Sequence, residues 1–240
     1  MGVVAAAVLA DIEVVIDLPA SLPSWTQLAA VAIAAVGGAA YAARRGFDVV
    51  GVVLLAVAAG LGGLLLRDTL LQTGTSIVLT DSAYLLIALG AAVLGFFFAG
   101  LIDRLEPVIV VLDALALGFF CTVGASAALS IRLSPVAAVF IGSVTAAGGL
   151  VLRDLLAGDA PRMLRPGVFT AAAAFFGALA FVLLVEFTGI ANGQAQIIAM
   201  LVVFVVRLLA IRLAWRTRPA KDITDRLWDF WATKSGDGGA

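Results

Sequence analysis

The sequence predicts an all-α membrane protein with seven transmembrane helices, built as a 3+3 inverted-topology repeat plus one closing helix. Three observations carry that prediction. Of 240 residues, 63% are hydrophobic and 13% charged, with a mean hydropathy of +1.14, against about 45–50% apolar and 25% charged in an ordinary soluble domain. The charges cluster between apolar runs long enough to cross about 30 Å of hydrocarbon as helix. Finally, the chain repeats itself at a shift of 86 residues.

Spans are expected at about 26–43, 49–66, 82–102, 113–131, 136–152, 168–187 and 195–214, each bounded by charge, Pro or Gly. Helix is the conformer to expect, because each run is continuous rather than alternating and lipid offers the backbone no hydrogen-bond partner. Residues 1–25 read as an extracytoplasmic extension: the apolar stretch Val3 to Ala10 has no basic flank before it and is cut short by Asp11, Glu13 and Asp17. After Pro219, Ile223, Leu227, Phe230 and Trp231 fall near one helical face, so 219–240 reads as a cytoplasmic amphipathic tail on the interface.

Composition also excludes function classes. The chain has no histidine, which removes a His-based triad, a His-ligated metal and a histidine relay. The single Cys121 has no intrachain disulfide partner. No enzyme, cofactor or metal site is expected. A net charge of −1 argues against nucleic acid, which needs a concentrated basic surface. The basic residues set orientation instead: Arg44, Arg45, Arg104, Arg162, Arg165 and a cluster from Arg207 to Lys234 fall on one side of the expected membrane, with Arg132 the clear exception opposite. By the positive-inside rule the N-terminus is expected outside and the C-terminus in the cytoplasm.

The repeat is the most informative feature. The 86-residue shift lays Gly62 to Leu70 on Gly148 to Leu156 with seven identities in nine positions, and Gly38-Ala39 on Gly124-Ala125. Each unit holds three spans, an odd number, so the second copy crosses in the opposite sense, as in membrane proteins that carry small solutes at a repeat interface. The pairs Gly62-Gly63 and Gly148-Gly149 each cost about 1 kcal/mol per glycine in helix propensity, and the expectation is a helix break bordering a pore. The charges that follow, Arg67-Asp68 and Arg153-Asp154, have two readings. They either mark helix ends at the interface or border the pathway as pore-lining or gating charges, each arginine held by the adjacent aspartate or by one from the opposite repeat.

The doubled GG-x-x-x-R-D motif, the segment Asp113 to Gly124, and Ser134-Pro135-Val136 through Thr145 to Gly149 resemble the prokaryotic branch of the trimeric intracellular cation channel family, also labelled glycine transporters. The resemblance covers about residues 26–214, as a first repeat at 26–105, a second at 112–190 and a seventh span at 195–214. It is weaker in the first repeat, where Gln27 stands opposite Asp113 and Thr75 and Thr80 stand opposite Pro161 and Pro166. The resemblance implies a homotrimer with one pore in each subunit.

Further polar candidates are Asp113, read as a helix N-cap or pore-mouth carboxylate, and Thr122, Ser126, Ser143 and Thr145, which either return their hydroxyls to the preceding turn or line a cation path. The small pairs Gly38/Ala42 and Gly142/Ala146 are expected to let helices approach closely. The functional expectation is a channel for monovalent cations, K+ foremost and Na+ with it, in contact with membrane lipid. The alternative is a secondary transporter of a small amino acid such as glycine. The topology makes the first testable outcome: a reporter active only outside the cytoplasm, fused after Ala240, stays silent.

Overall fold

The computed structural model describes residues 22–98, 106–164 and 170–212, and every regular element within them is helical. In chain order they are α1 (Ser24–Arg44), α2 (Val49–Leu71), α3 (Ser82–Phe97), α4 (Glu106–Ser130), α5 (Pro135–Leu156), α6 (Thr170–Thr188) and α7 (Asn192–Arg212), with single short turns at Ile77–Thr80 and Arg162–Leu164. Six of the seven are long and apolar enough to cross a membrane; α3, at 16 residues, is the short one. The N-terminal extension and the expected amphipathic tail lie outside the described residues.

Local chemistry sets the helix ends. Asp48 and Asp81 accept from the backbone amides of Gly51 (2.8 Å) and Ala83 (2.9 Å), capping α2 and α3. Ser134 caps α5 ahead of Pro135, whose missing N–H costs nothing in the first turn. One expectation fails here: α4 begins at Glu106, so Asp113 lies two turns inside the helix and does not cap it. The expected span at 113–131 began at Asp113, the residue read as its cap, whereas the helix starts two turns earlier beside Pro107, and Pro suits the start of a helix.

The helices form two three-helix bundles. α1, α2 and α3 pack on one another, as do α4, α5 and α6; the bundles meet through α1 against α4 and α2 against α5, and α7 closes the second bundle by packing on α6 and α4. Away from these contacts the bundle presents exposed Leu, Val and Phe, among them Phe97, Val136 and Phe140, the inverse of a soluble surface and the face a lipid solvent requires. Buried positions are filled largely by Ala and Gly, which lets helix backbones approach. Gly38 shows this: a methyl there would sit 2.6 Å from the Leu55 carbonyl oxygen.

The expected helix breaks at the glycine pairs are absent. α2 and α5 run as α-helix through Gly62-Gly63 and Gly148-Gly149. The glycines serve the crossing of these two helices instead. A methyl on Gly62 would lie 2.6 Å from Cδ1 of Leu152, and one on Gly148 would lie 2.6 Å from Cδ1 of Leu66. A methyl on Gly63 would overlap the Thr145 carbonyl oxygen, and one on Gly149 that of Ala59. Each contact maps onto its partner under the 86-residue shift, so the crossing lies on the two-fold axis relating the repeats. Propensity loss at these positions is outweighed because only hydrogen atoms fit between the backbones.

Accordingly, Gly149→Ala should lower stability by about 1–3 kcal/mol through overpacking, despite its better helix propensity. Gly90→Ala, where a methyl meets nothing within 4 Å, should be neutral or stabilising by up to about 1 kcal/mol. Thermal unfolding in detergent separates the two.

Candidate functional site

The Arg-Asp pairs stand at opposite ends of the bundle, one near the end of α2 and one near the end of α5, as inverted repeats require. All four side chains are buried: Arg67 is 5% exposed, Asp68 7%, Arg153 3% and Asp154 2%. Of the two partners expected for each guanidinium, the adjacent aspartate and one from the opposite repeat, the structure has the adjacent one. Arg67 Nε donates to Asp68 Oδ1 at 2.7 Å, and Arg153 Nη2 donates to Asp154 Oδ1 at 2.8 Å. Adjacent residues can pair because the arginine is long enough to wrap round the helix to the short aspartate.

The second carboxylate oxygen has a separate task. Asp68 Oδ2 accepts from Ser76 Oγ (2.5 Å) and the Ile77 amide (3.1 Å), while Asp154 Oδ2 accepts from the Arg162 amide (2.9 Å). In both repeats the carboxylate ties the loop after the helix, eight residues on, to the helix end. Four lone-pair sites on one aspartate make this possible, and the charge-assisted bonds are strong ones. Ser76 falls on Arg162 under the 86-residue shift, so the loop contacts repeat along with the motif.

Around these anchors the two ends differ. At the Gln72 end a cavity of about 270 Å³ is bordered by Gln27, Arg67, Asp68, Thr73, Ser126 and Ser130, among others, and Arg67 Nη1 donates to Gln27 Oε1 at 3.2 Å. At the Arg44 end, charged groups gather round an aromatic ring. Tyr41 is flanked by three guanidinium groups, Arg153 at 4.4 Å, Arg162 at 4.9 Å and Arg45 at 5.0 Å from the ring centroid, each attracted to the ring face. The Tyr41 hydroxyl donates to Asp159 Oδ2, which also pairs with Arg45 at 2.5 Å. That bond raises the Arg45 guanidinium above its ordinary pKa. Tyr41 and Asp159 thereby join the first repeat to the loop that follows α5.

Between the two ends, where α1, α2, α4 and α5 meet, lies a void of about 10 Å³ bordered by Ala34, Ala59, Asp113, Phe120, Ala146 and Leu150, room for about one water. Two helix faces link it to the ends. On α4, Asp113, Ala116, Leu117 and Phe120 border the void, and Val123, Ser126, Ala127 and Ser130 border the larger cavity. These steps of three and four make one stripe along the helix. On α1, Gln27, Ala34 and Tyr41 are each two turns apart and meet the cavity, the void and the arginine cluster in turn.

Of the other candidates, Ser126 and Asp113 lie on this stripe. Thr122, Ser143 and Thr145 do not border either space; they donate to the carbonyls of Phe119 (2.9 Å), Val139 (2.7 Å) and Ile141 (2.7 Å), the structural alternative open to them in the sequence. Thr122 also accepts from Gln196 Nε2 of α7 at 3.2 Å. Tyr41 and Asp159 escaped the sequence reading: position 127, which matches Tyr41, is Ala, so the repeat gave no signal there. Arg207, counted with the cytoplasmic charges, is instead buried inside α7 and donates through Nη1 to Thr170 Oγ1. Among the described residues no three His, Cys, Asp or Glu side chains converge as a metal site would need.

Comparison with known proteins matches these features to a family. The glycine transporter family model covers residues 24–100 and 110–186, two stretches offset by the same 86 residues. A solved structure of the TRIC trimeric intracellular cation channel orthologue from Rhodobacter sphaeroides superposes with a TM-score of 0.74 at 34% identity, covering 80% of this chain and 97% of that one. The chain belongs to the TRIC family. A second structure, from work on conductance through TRIC cation channels, has a TM-score of 0.75 at 28% identity and covers 82% of this chain and 96% of its own. Among curated proteins, a membrane protein of Deinococcus radiodurans is 32% identical over 84% of this chain and 93% of its own length. The inner membrane protein YadS of Escherichia coli K12 is 29% identical over 78% and 91%. This TRIC-family chain is thus a multi-pass membrane protein with the fold its repeat predicted.

Removing one member of a buried pair leaves the other charge uncompensated, which costs about 3–5 kcal/mol. Asp154→Asn should reach that range, and Arg162→Ala, whose side chain is 54% exposed and 3.7 Å from Asp154, about 1 kcal/mol or less. Denaturant titration in detergent compares them.

Proposed function

We propose that the protein is a channel for monovalent cations, K+ foremost, with one pathway in each subunit of a homotrimer, the N-terminus outside and the C-terminus in the cytoplasm. The observation that carries this reading is the α4 stripe from Asp113 to Ser130, which joins the larger cavity to the void at the repeat interface. The wall offers hydroxyls, an amide and the Asp113 carboxylate, which has no ion pair among the described residues. Arg67 and Arg153 are each neutralised by the neighbouring aspartate, so neither presents an uncompensated positive charge to a passing cation. The trimeric cation channels among its structural relatives support the same assignment.

In this reading the Arg44 end is the closed gate. Opening requires α1 to part from the loop after α5, and the Tyr41 hydroxyl bond and the Arg45 ion pair, both to Asp159, are links that must break. The glycine reading has one observation in its favour: the larger cavity holds both a guanidinium and a carboxylate, the groups that would meet the two ends of an amino-acid zwitterion. Those groups are engaged with each other, which favours the channel.

Purified protein reconstituted in bilayers should give unitary K+ currents driven by voltage alone, without glycine, while labelled glycine uptake stays at background. Flux that depends on glycine and never shows unitary steps would reverse the assignment. Tyr41→Phe, which keeps the ring and loses the hydroxyl, should raise open probability with unitary conductance unchanged.

A further inference from the structure

The two repeats part company at one matched pair of positions. Gln27 and Arg67 correspond to Asp113 and Arg153 under the 86-residue shift. In the first repeat Arg67 satisfies Gln27 at 3.2 Å. In the second, the guanidinium of Arg153 lies over Tyr41, 4.4 Å from the ring centroid, and Asp113 is a methylene shorter than Gln27. Ala127 offers no ring that could divert Arg67 in the same way. As a result Asp113 accepts no hydrogen bond and forms no ion pair among the described residues.

Its surroundings sharpen the point. The carboxylate borders the void with Ala34, Ala59, Phe120 and Leu150, an apolar wall apart from itself, and one carboxylate oxygen approaches Gly37, where a methyl would lie 3.4 Å away. Arg207 on α7 acts on it electrostatically without pairing. An anion in so apolar a wall is costly unless a counter-charge reaches it. Arg207 supplies a fixed positive charge at a distance but no ion pair, so the place of a direct counter-charge is left to a mobile cation in the pathway. With space for about one water in the void, a passing cation would meet the carboxylate with little of its hydration shell between them.

We propose that Asp113 is the cation-selecting carboxylate of the pathway, kept unpaired for a passing monovalent cation because Tyr41 occupies Arg153. This rests on the channel reading above. It makes Asp113 a specificity-determining residue, and it makes the second repeat the half that sets charge selectivity.

The test is the K+ over Cl− permeability ratio of reconstituted protein, read from reversal potentials under a KCl gradient. Asp113→Asn should lower the ratio about tenfold, the low end of what a focused charge contributes in a low-dielectric cleft, and Asp113→Glu should keep it near the parent value. Asp113→Cys should lose selectivity and regain it on labelling with a sulfonate-bearing thiosulfonate but not a trimethylammonium-bearing one; native Cys121 is fully buried. Tyr41→Leu, which frees Arg153, should also lower the ratio, whereas Tyr41→Phe should not. Parent-like selectivity and unitary conductance in Asp113→Asn would overturn the proposal and leave the channel reading standing. Absence of K+ current in the parent protein would remove both. If neither the Asn nor the Cys variant assembles, Asp113 is a structural residue and the proposal falls.

Discussion

The structure depends on a contact in which two helix backbones touch with nothing between them but glycine hydrogens. α2 and α5 cross at Gly62-Gly63 and Gly148-Gly149 so closely that the carbonyl oxygens of Thr145 and Ala59 occupy the space a side chain would need. In lipid there is no hydrophobic drive to hold helices together, and close packing of small residues takes its place. The rest of the arrangement follows from this crossing. It sets the distance between the repeats, brings α1 beside α4, and leaves the small void where these helices meet. A wider crossing would open that space, and a bulkier residue would push the bundles apart.

The buried aspartates convert the crossing into two defined ends. Asp68 and Asp154 each divide their oxygens between the adjacent arginine and the loop eight residues on, so one residue neutralises a buried cation and pins the chain where it leaves the helix. A guanidinium at that depth is tolerated because its charge is met and its donors are used. The arginines then have donors or faces to spare: Arg67 turns to Gln27, and Arg153 to Tyr41. Equivalent residues thus build different environments, an amide-lined cavity at one end and a tyrosine packed among arginines at the other.

That divergence is where a symmetric scaffold acquires direction. Two identical halves would give a pathway with interchangeable ends. Here two of the substitutions separating the copies, Gln27 against Asp113 and Tyr41 against Ala127, lie on the faces of α1 and α4 that carry the cavity-lining residues, while the glycine pairs at the crossing are the same in both. Keeping the glycines and varying the lining lets one end gather guanidinium groups round a tyrosine and the other present polar groups to a cavity.

The sequence by itself determined the class, the number of spans and the inverted repeat, because hydropathy over about 20 residues and an odd number of spans per unit are properties of the chain that no packing can alter. It also singled out the glycine pairs and the Arg-Asp pairs as the residues that matter. Only the tertiary structure decided what they do. Propensity argues for a break at paired glycines, and the crossing reverses that outcome by making bare backbone the only surface that fits. The start of α4, and with it the removal of Asp113 from a cap to the edge of the central void, was hidden because Glu106-Pro107 is equally compatible with a loop and a first helical turn. Tyr41 and Asp159 were invisible for a different reason. They are 118 residues apart, and a hydroxyl meeting a carboxylate over that separation exists only after two helices from different repeats have been brought side by side.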